Sequence, residues 1–336
     1  MKTSNSQTAP QPPRIVPTLI AGFDVITKHI GLILFPVGLD MLIWLMPHLR
    51  MKNMIDAWTA KVFQPISDTS DMAQIASSAQ EIWTFMAERF NLLITLRSYP
   101  VGIPSLMVSN LPLRFPGGEP LLIEIPSLGV ALLLAGFLTL VGIICGALYF
   151  AFVAKAVIHD EIRLLKTLST WPQVSLQIIL LTLVWLAILL GICVPASCSI
   201  SFLIMVGISV GPIAIFIFGG LLLWLAFPLL FSPHGIFVNQ DSMWASVKKS
   251  VQIIRMTLPT TATFFISIGL LSQGLDMLWR IPADDSWLML ISVVGHAFVS
   301  TGFLSASFIY YQKADEWVQN MMEKIDQMES EAEAVA

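Results

Sequence analysis

From Thr167 to Gln240 the chain reads TLSTWPQVSLQIILLTLVWLAILLGICVPASCSISFLIMVGISVGPIAIFIFGGLLLWLAFPLLFSPHGIFVNQ, without one Asp, Glu, Lys or Arg; only His234 interrupts the neutrality. A water-soluble domain does not run for about 70 residues without charge, because its surface needs ionised groups for hydration. A bilayer imposes the reverse: one ionised side chain at mid-depth costs about 3 kcal/mol or more. The run is too long for one span. Turn-forming residues at Val194-Pro195-Ala196-Ser197-Cys198-Ser199 predict a transmembrane hairpin, Val174–Cys193 followed by Ser201–Phe231.

Composition agrees. Hydrophobic residues make up 56% of the chain and charged residues 12%, with a mean hydropathy of +0.78, which places it among polytopic membrane proteins. The net charge of −4, with no basic cluster interleaved by aromatics, excludes a nucleic-acid partner. Cys145, Cys193 and Cys198 are too few for a disulfide framework; Cys193 and Cys198 read as small apolar residues flanking the hairpin turn, able to pair only in an oxidising compartment. Residues 1–13 are polar and Pro-rich and read as a disordered tail without a cleaved signal.

Six spans emerge: Ile30–Pro47, kinked by Pro36; Ser127–Val153; the two arms of the opening hairpin; Pro259–Trp279; and Trp287–Tyr311. The fold class is therefore all-α, a polytopic helical membrane protein built as three hairpins. Domain by domain, the expectation is a tail over 1–13, an in-plane helix and span 1 over 14–47, and an extracytoplasmic cap over 48–126. Spans 2–6 with amphipathic helices follow over 127–311, and an acidic helical tail over 312–336. Lys and Arg from Lys2, Arg14 and Lys28, through Lys155, Arg163 and Lys166, to Lys248, Lys249, Arg255, Lys313 and Lys324 fall on one side, while the opposite short loops hold only Arg280. The positive-inside rule then makes both termini cytoplasmic in a cell membrane.

Arg14–His29, the segment around Val157–Leu168, and Trp244–Leu258 each carry an apolar stripe beside basic residues, the pattern of a helix lying in the membrane surface. Gly38-Leu39-Asp40-Met41-Leu42 and Gly274-Leu275-Asp276-Met277-Leu278 are identical, which suggests copies of one unit: surface helix, span out, span back. In the cap, Met51–Val62 and Met72–Leu93 have helical periodicity, the latter with Ser70 or Asp71 as N-cap. After Tyr99 a run of prolines predicts an extended strap, with a ligand-capturing lid as the alternative. From Lys313 the chain is helical and acidic, either solvated or folded onto the basic helix carrying Lys248, Lys249 and Arg255.

Polar residues at membrane depth are the site candidates: Asp40, Gln273, Asp276, His296 and Ser209. Asp40 stands out because no basic residue lies one turn away. Asp276 and Arg280 are four apart and can pair locally; His296 either bridges two helices or works in a site. Thr260, Thr263 and Ser267 in span 5 and Ser292, His296, Ser300 and Ser307 in span 6 form stripes that either line a hydrated cavity or bond their own helix carbonyls. Gly142-xxx-Gly146 and Gly207-xxx-Gly211 permit close helix packing. Nothing in the sequence calls for a metal or a cofactor: there is no Walker loop, dinucleotide fingerprint, His-x-x-His or Cys-x-x-Cys.

Two resemblances follow from these residues. Six spans, a large loop after the first, Ser209 in span 4 and His296 in span 6 resemble rhomboid intramembrane proteases, which implies Ser209 as nucleophile and His296 as its base. Val210 stands where that family has Gly, and span 2 lacks the expected oxyanion-binding His and Asn. The paired spans introduced by surface helices, with Ser250, Arg255 and Pro259 ahead of span 5, are similar to the membrane domain that precedes glycerophosphodiester phosphodiesterase barrels. No barrel is present, so that resemblance implies a fold without an active site. The expected function is a non-enzymatic membrane protein organising lipids, or a protein partner held through its tail or surface helices. The alternatives are a transporter or channel using Asp40, Asp276 and His296, and an intramembrane serine protease.

Overall fold

In a computed structural model, residues 12–67, 73–159, 164–206 and 211–335 are described. Eleven α-helices occur among them: α1 (Ile15–Lys28), α2 (Leu34–Leu45), α3 (Lys52–Ser67), α4 (Ala73–Arg89), the single-turn α5 (Met107–Asn110), α6 (Leu128–His159), α7 (Leu164–Met205), α8 (Gly211–Ala226), α9 (Ser232–Val238), α10 (Met243–Trp279) and α11 (Met289–Val335). The all-α expectation has one exception, a parallel pair of three-residue strands, β1 (His48–Arg50) and β2 (Leu122–Glu124).

Five of these helices are long and apolar enough to cross a membrane, or six if Ile15–Lys28 and Ile30–Leu45 make one broken span. Their apolar side chains point outward. In the most apolar stretch of α7 only 11% of the residues are buried, and Leu165, Phe216 and Trp224 are 86, 83 and 72% exposed. Side chains of this size gain by leaving water, so lipid is the solvent such a surface requires.

The expected hairpin turn at 194–199 is corrected: α7 runs through it unbroken, with Pro172 and Pro195 inside the helix. Proline withholds one N–H and leaves the carbonyl four residues back without its donor, here that of Gly191, yet the helix continues; the serine hydroxyls beyond it bond other carbonyls of the same helix. Ser197 Oγ donates to Cys193 O and Ser199 Oγ to Pro195 O, each at 2.8 Å. Cys193 and Cys198 therefore sit on one helix and are free thiols. In α10 the expected surface helix and span 5 are continuous across a kink at Thr257 (φ −116°, ψ 20°), two residues before Pro259. There the Thr257 hydroxyl reaches back to Ile253 O at 2.7 Å. The expected caps Ser70 and Asp71 lie outside the described residues, as do Ile162 and Arg163.

The chain divides into two units. The first comprises the described parts of Met1–His29, Phe150–Leu270 and Gly302–Ala336. Its core is aromatic: Tyr310 stacks on Phe264 at 4.3 Å and on Phe231 at 5.9 Å, and Ile253, Ile254, Ala314 and Val318 close around them. α1 lies tight against α11 because Gly22 and Gly302 carry no side chain; a Cβ on Gly22 would stand 2.6 Å from that of Ala306. The acidic tail continues α11 without a break; its start is tied to the basic helix by Lys249 Nζ, 2.6 Å from Asp315 Oδ2, and beyond Val318 its side chains are mostly exposed.

The second unit comprises Ile30–Tyr149 and Leu271–Thr301. It contains the cap, where Trp58 of α3 meets Trp83 of α4 edge to face at 5.3 Å. The 90–126 segment is a strap held at both ends. Asn91 Oδ1 accepts from Leu49 N and Leu93 N, each at 3.1 Å, and β2 pairs with β1 in the register His48–Leu122, Leu49–Ile123, Arg50–Glu124. Gly142 and Gly146 serve this strap: a Cβ on Gly142 would collide with Leu96 O, and one on Gly146 would lie 2.9 Å from Val101 O.

Candidate functional site

The Asp40 carboxylate is fully buried, and its two oxygens accept three hydrogen bonds from the strap. Ser105 Oγ donates to Oδ1 at 2.5 Å, Met107 N to Oδ1 at 3.0 Å, and Leu106 N to Oδ2 at 3.1 Å. The Ser105 hydroxyl also accepts from Val108 N at 3.2 Å, as an N-cap residue does. α2 thus presents Asp40 to the orphan amides at the start of α5, and every hydrogen-bonding atom at this junction is engaged. Asp40 is a strap anchor, its carboxylate engaged by Ser105, Leu106 and Met107.

Asp276 and His296 do come together. His296 Nε2 lies 3.9 Å from Asp276 Oδ1, both side chains mostly buried, while His296 Nδ1 has no hydrogen-bond partner among the described residues. Asp276 faces α11, and no ion pair with Arg280 occurs among the described residues; Arg280 is exposed. Trp279 packs flat against Gly295, where a Cβ would lie 2.5 Å from the indole, so α10 and α11 are close at the level of the pair. The Arg97 guanidinium on the strap acts electrostatically on both Asp40 and His296. Gln273 is exposed.

Several hydroxyls of the two stripes bond their own helix carbonyls. Thr263 bonds Pro259 O, Ser267 bonds Thr263 O, and Ser300 bonds Ala297 O, each on its own helix. Ser307 bonds Leu304 O and also meets His234 Nε2 at 2.9 Å, within a cage of Phe231, Phe308 and Tyr311. Ser209, Gly207 and the G-x-S-x-G they belong to lie outside the described residues. On the basic helix, Lys249 is paired with Asp315, while Lys248 and Arg255 are exposed.

The partner of Asp40 was missed from sequence, although a signal existed: Pro104-Ser105 ahead of a short apolar turn is an N-cap pattern. The buried hydroxyl network Thr257–Thr261–Tyr310, at 2.9 and 3.1 Å, had no comparable signal, because Tyr310 and Thr261 are far apart in the chain. Among the described residues no group of His, Cys, Asp and Glu could hold a metal ion. Compared with family models, curated proteins and solved structures, the chain matches none.

Proposed function

We propose that this chain is a multi-pass protein of the cell membrane, both termini cytoplasmic, that organises lipids or a protein partner without catalysing a reaction. The observation that carries this reading is the Asp40 junction. The buried Asp40 carboxylate is spent on holding the 90–126 strap, which is an architectural task. The paired Lys249–Asp315 contact supports the tail as a fixed element from which a partner is presented. Affinity purification of the full chain from its native membrane tests this. A partner recovered in fixed ratio, and lost when residues after 320 are removed, is expected; a chain that purifies alone under mild extraction would sink it.

A second reading, a proton- or cation-coupled transporter, draws on Asp276 and His296. A buried acid–imidazole pair with one ring nitrogen unsatisfied is a group that can change charge inside a membrane. Proteoliposomes with an imposed pH gradient distinguish it: proton flux abolished by Asp276→Asn and by His296→Gln supports transport, and flux equal to empty liposomes removes it.

A further inference from the structure

The charge-free run from Thr167 to Gln240 contains four side-chain amides, Gln173, Gln177, Asn239 and Gln240, and three of them line one cleft of the first unit. The cleft joins the start of α7 to the turn between α9 and α10. Its volume is about 180 Å³, roughly six waters' worth at about 30 Å³ each. That is room for one ring bearing hydroxyls, and below the size of a drug-like pocket. Its polar wall is Gln173, Gln177, Gln240, the Asp241 carboxylate and two hydroxyls; Val174 and Ile236 supply an apolar floor, and among the described residues no Lys or Arg lines it.

Part of the wall is fixed in place. Gln177 Oε1 accepts from Met243 N at 2.8 Å, capping α10 and leaving its NH₂ group to donate. Gln240 is held at φ +57°, an uncommon conformation for a residue with a side chain, while Asp241 N donates to Gly235 O at 3.4 Å. The side-chain amides of Gln173 and Gln240 have no hydrogen-bond partner among the described residues.

We infer that this cleft binds a neutral polyhydroxylated ring, a sugar or cyclic polyol, either free or as the headgroup of a lipid. Each ring hydroxyl both donates and accepts, matching amides that do the same, and a carboxylate accepts from a neighbouring pair of hydroxyls. The C–H face of the ring lies on Val174 and Ile236. A phosphate finds no cation here and meets a carboxylate instead, so anionic headgroups are rejected. The inference rests on this unit's residues alone and stands or falls independently of the organising role proposed above.

The test uses the full chain in phosphatidylcholine nanodiscs assembled without glycoside detergent. Free glucose is followed by saturation-transfer NMR, and a monoglucosyl diacylglycerol doped into the disc by native mass spectrometry. Binding of free glucose identifies a soluble ligand; binding of the glucosyl lipid alone identifies a headgroup. Gln173→Ala and Asp241→Asn, both at the cleft surface, should each weaken whichever binding occurs by about tenfold, the loss of one good hydrogen bond. Binding of neither probe, equal binding by both variants and the parent, or preferential binding of inorganic phosphate overturns the inference.

Discussion

Replacing Asp40 isolates the junction between α2 and the strap. In Asp40→Ala the two backbone donors, Leu106 N–H and Met107 N–H, lose their acceptor in a buried site, while the Ser105 hydroxyl can rotate to another partner. A buried unsatisfied donor costs about 1–3 kcal/mol, so the change should destabilise the second unit by about 2–6 kcal/mol. Asp40→Asn keeps one oxygen for Ser105 and Met107 but turns an NH₂ toward the Leu106 N–H, and should cost about 1–3 kcal/mol. Hydrogen exchange in nanodiscs reads this at the amides concerned: protection at Leu106 and Met107 falls in Asn and is lost in Ala, in step with a fall in the thermal midpoint. Tyr310 and Thr261, in the other unit, report whether damage has spread. If both variants keep parental protection at Leu106 and Met107, the carboxylate does not hold the strap, and the architectural role argued for it fails.

Gly142→Val should push the strap off α6, because the new side chain meets Leu96 O; trypsin should then cut at Arg97 faster than in the parent, whereas Gly136→Val, at an open position, should leave the rate unchanged. A double-mutant cycle with Lys249→Met and Asp315→Asn should give a coupling of about 1 kcal/mol at low salt that shrinks as salt rises, measured by exchange protection over 314–320; a salt-insensitive coupling would mean that packing of Val318 and Trp317, and not charge, holds the tail. His48 is buried in β1, and burial, aided by the Arg50 charge, holds its imidazole below the ordinary value of 6.5. The unfolded chain therefore binds the extra proton first, so stability of the second unit should decline as pH drops below about 6.5, and His48→Gln should flatten that decline in a pH series of thermal midpoints.

What could be read from sequence followed the physics of solvation. Charge-free length and hydropathy identify membrane-crossing helices because lipid penalises every ionised group alike, whatever the partner helix. The cap helices were legible from the helical spacing of Met51, Ile55 and Trp58 and of Ile75, Ile82 and Met86, although Trp58, Ile82 and Met86 stay exposed on α3 and α4. The turn at Pro195 was misread because proline is a breaker in water, where its freed carbonyl can be hydrated, whereas a long apolar helix continues through it and the serines two and four residues on turn their hydroxyls back to the helix's own carbonyls. The packing of glycines was half legible: Gly142 and Gly146 announced close approach, but nothing local says whether a helix or an extended strap is what approaches.

The two copies of Gly-Leu-Asp-Met-Leu show where such reading stops. Gly38 and Gly274 both stand open, with no atom near a Cβ position, so the shared glycine does not set the difference between the sites. Asp40 meets two backbone amides and a hydroxyl, donors that carry no charge and cannot leave, and its chemistry is consumed in holding a loop. Asp276 meets an imidazole at 3.9 Å, a partner that can gain or lose a proton and whose far nitrogen is unsatisfied. Identical pentapeptides therefore meet different partners, because the segment supplied from elsewhere in the chain decides whether the carboxylate faces backbone amides or an imidazole. The first place to seek any ion-dependent behaviour in this protein is accordingly the Asp276–His296 pair.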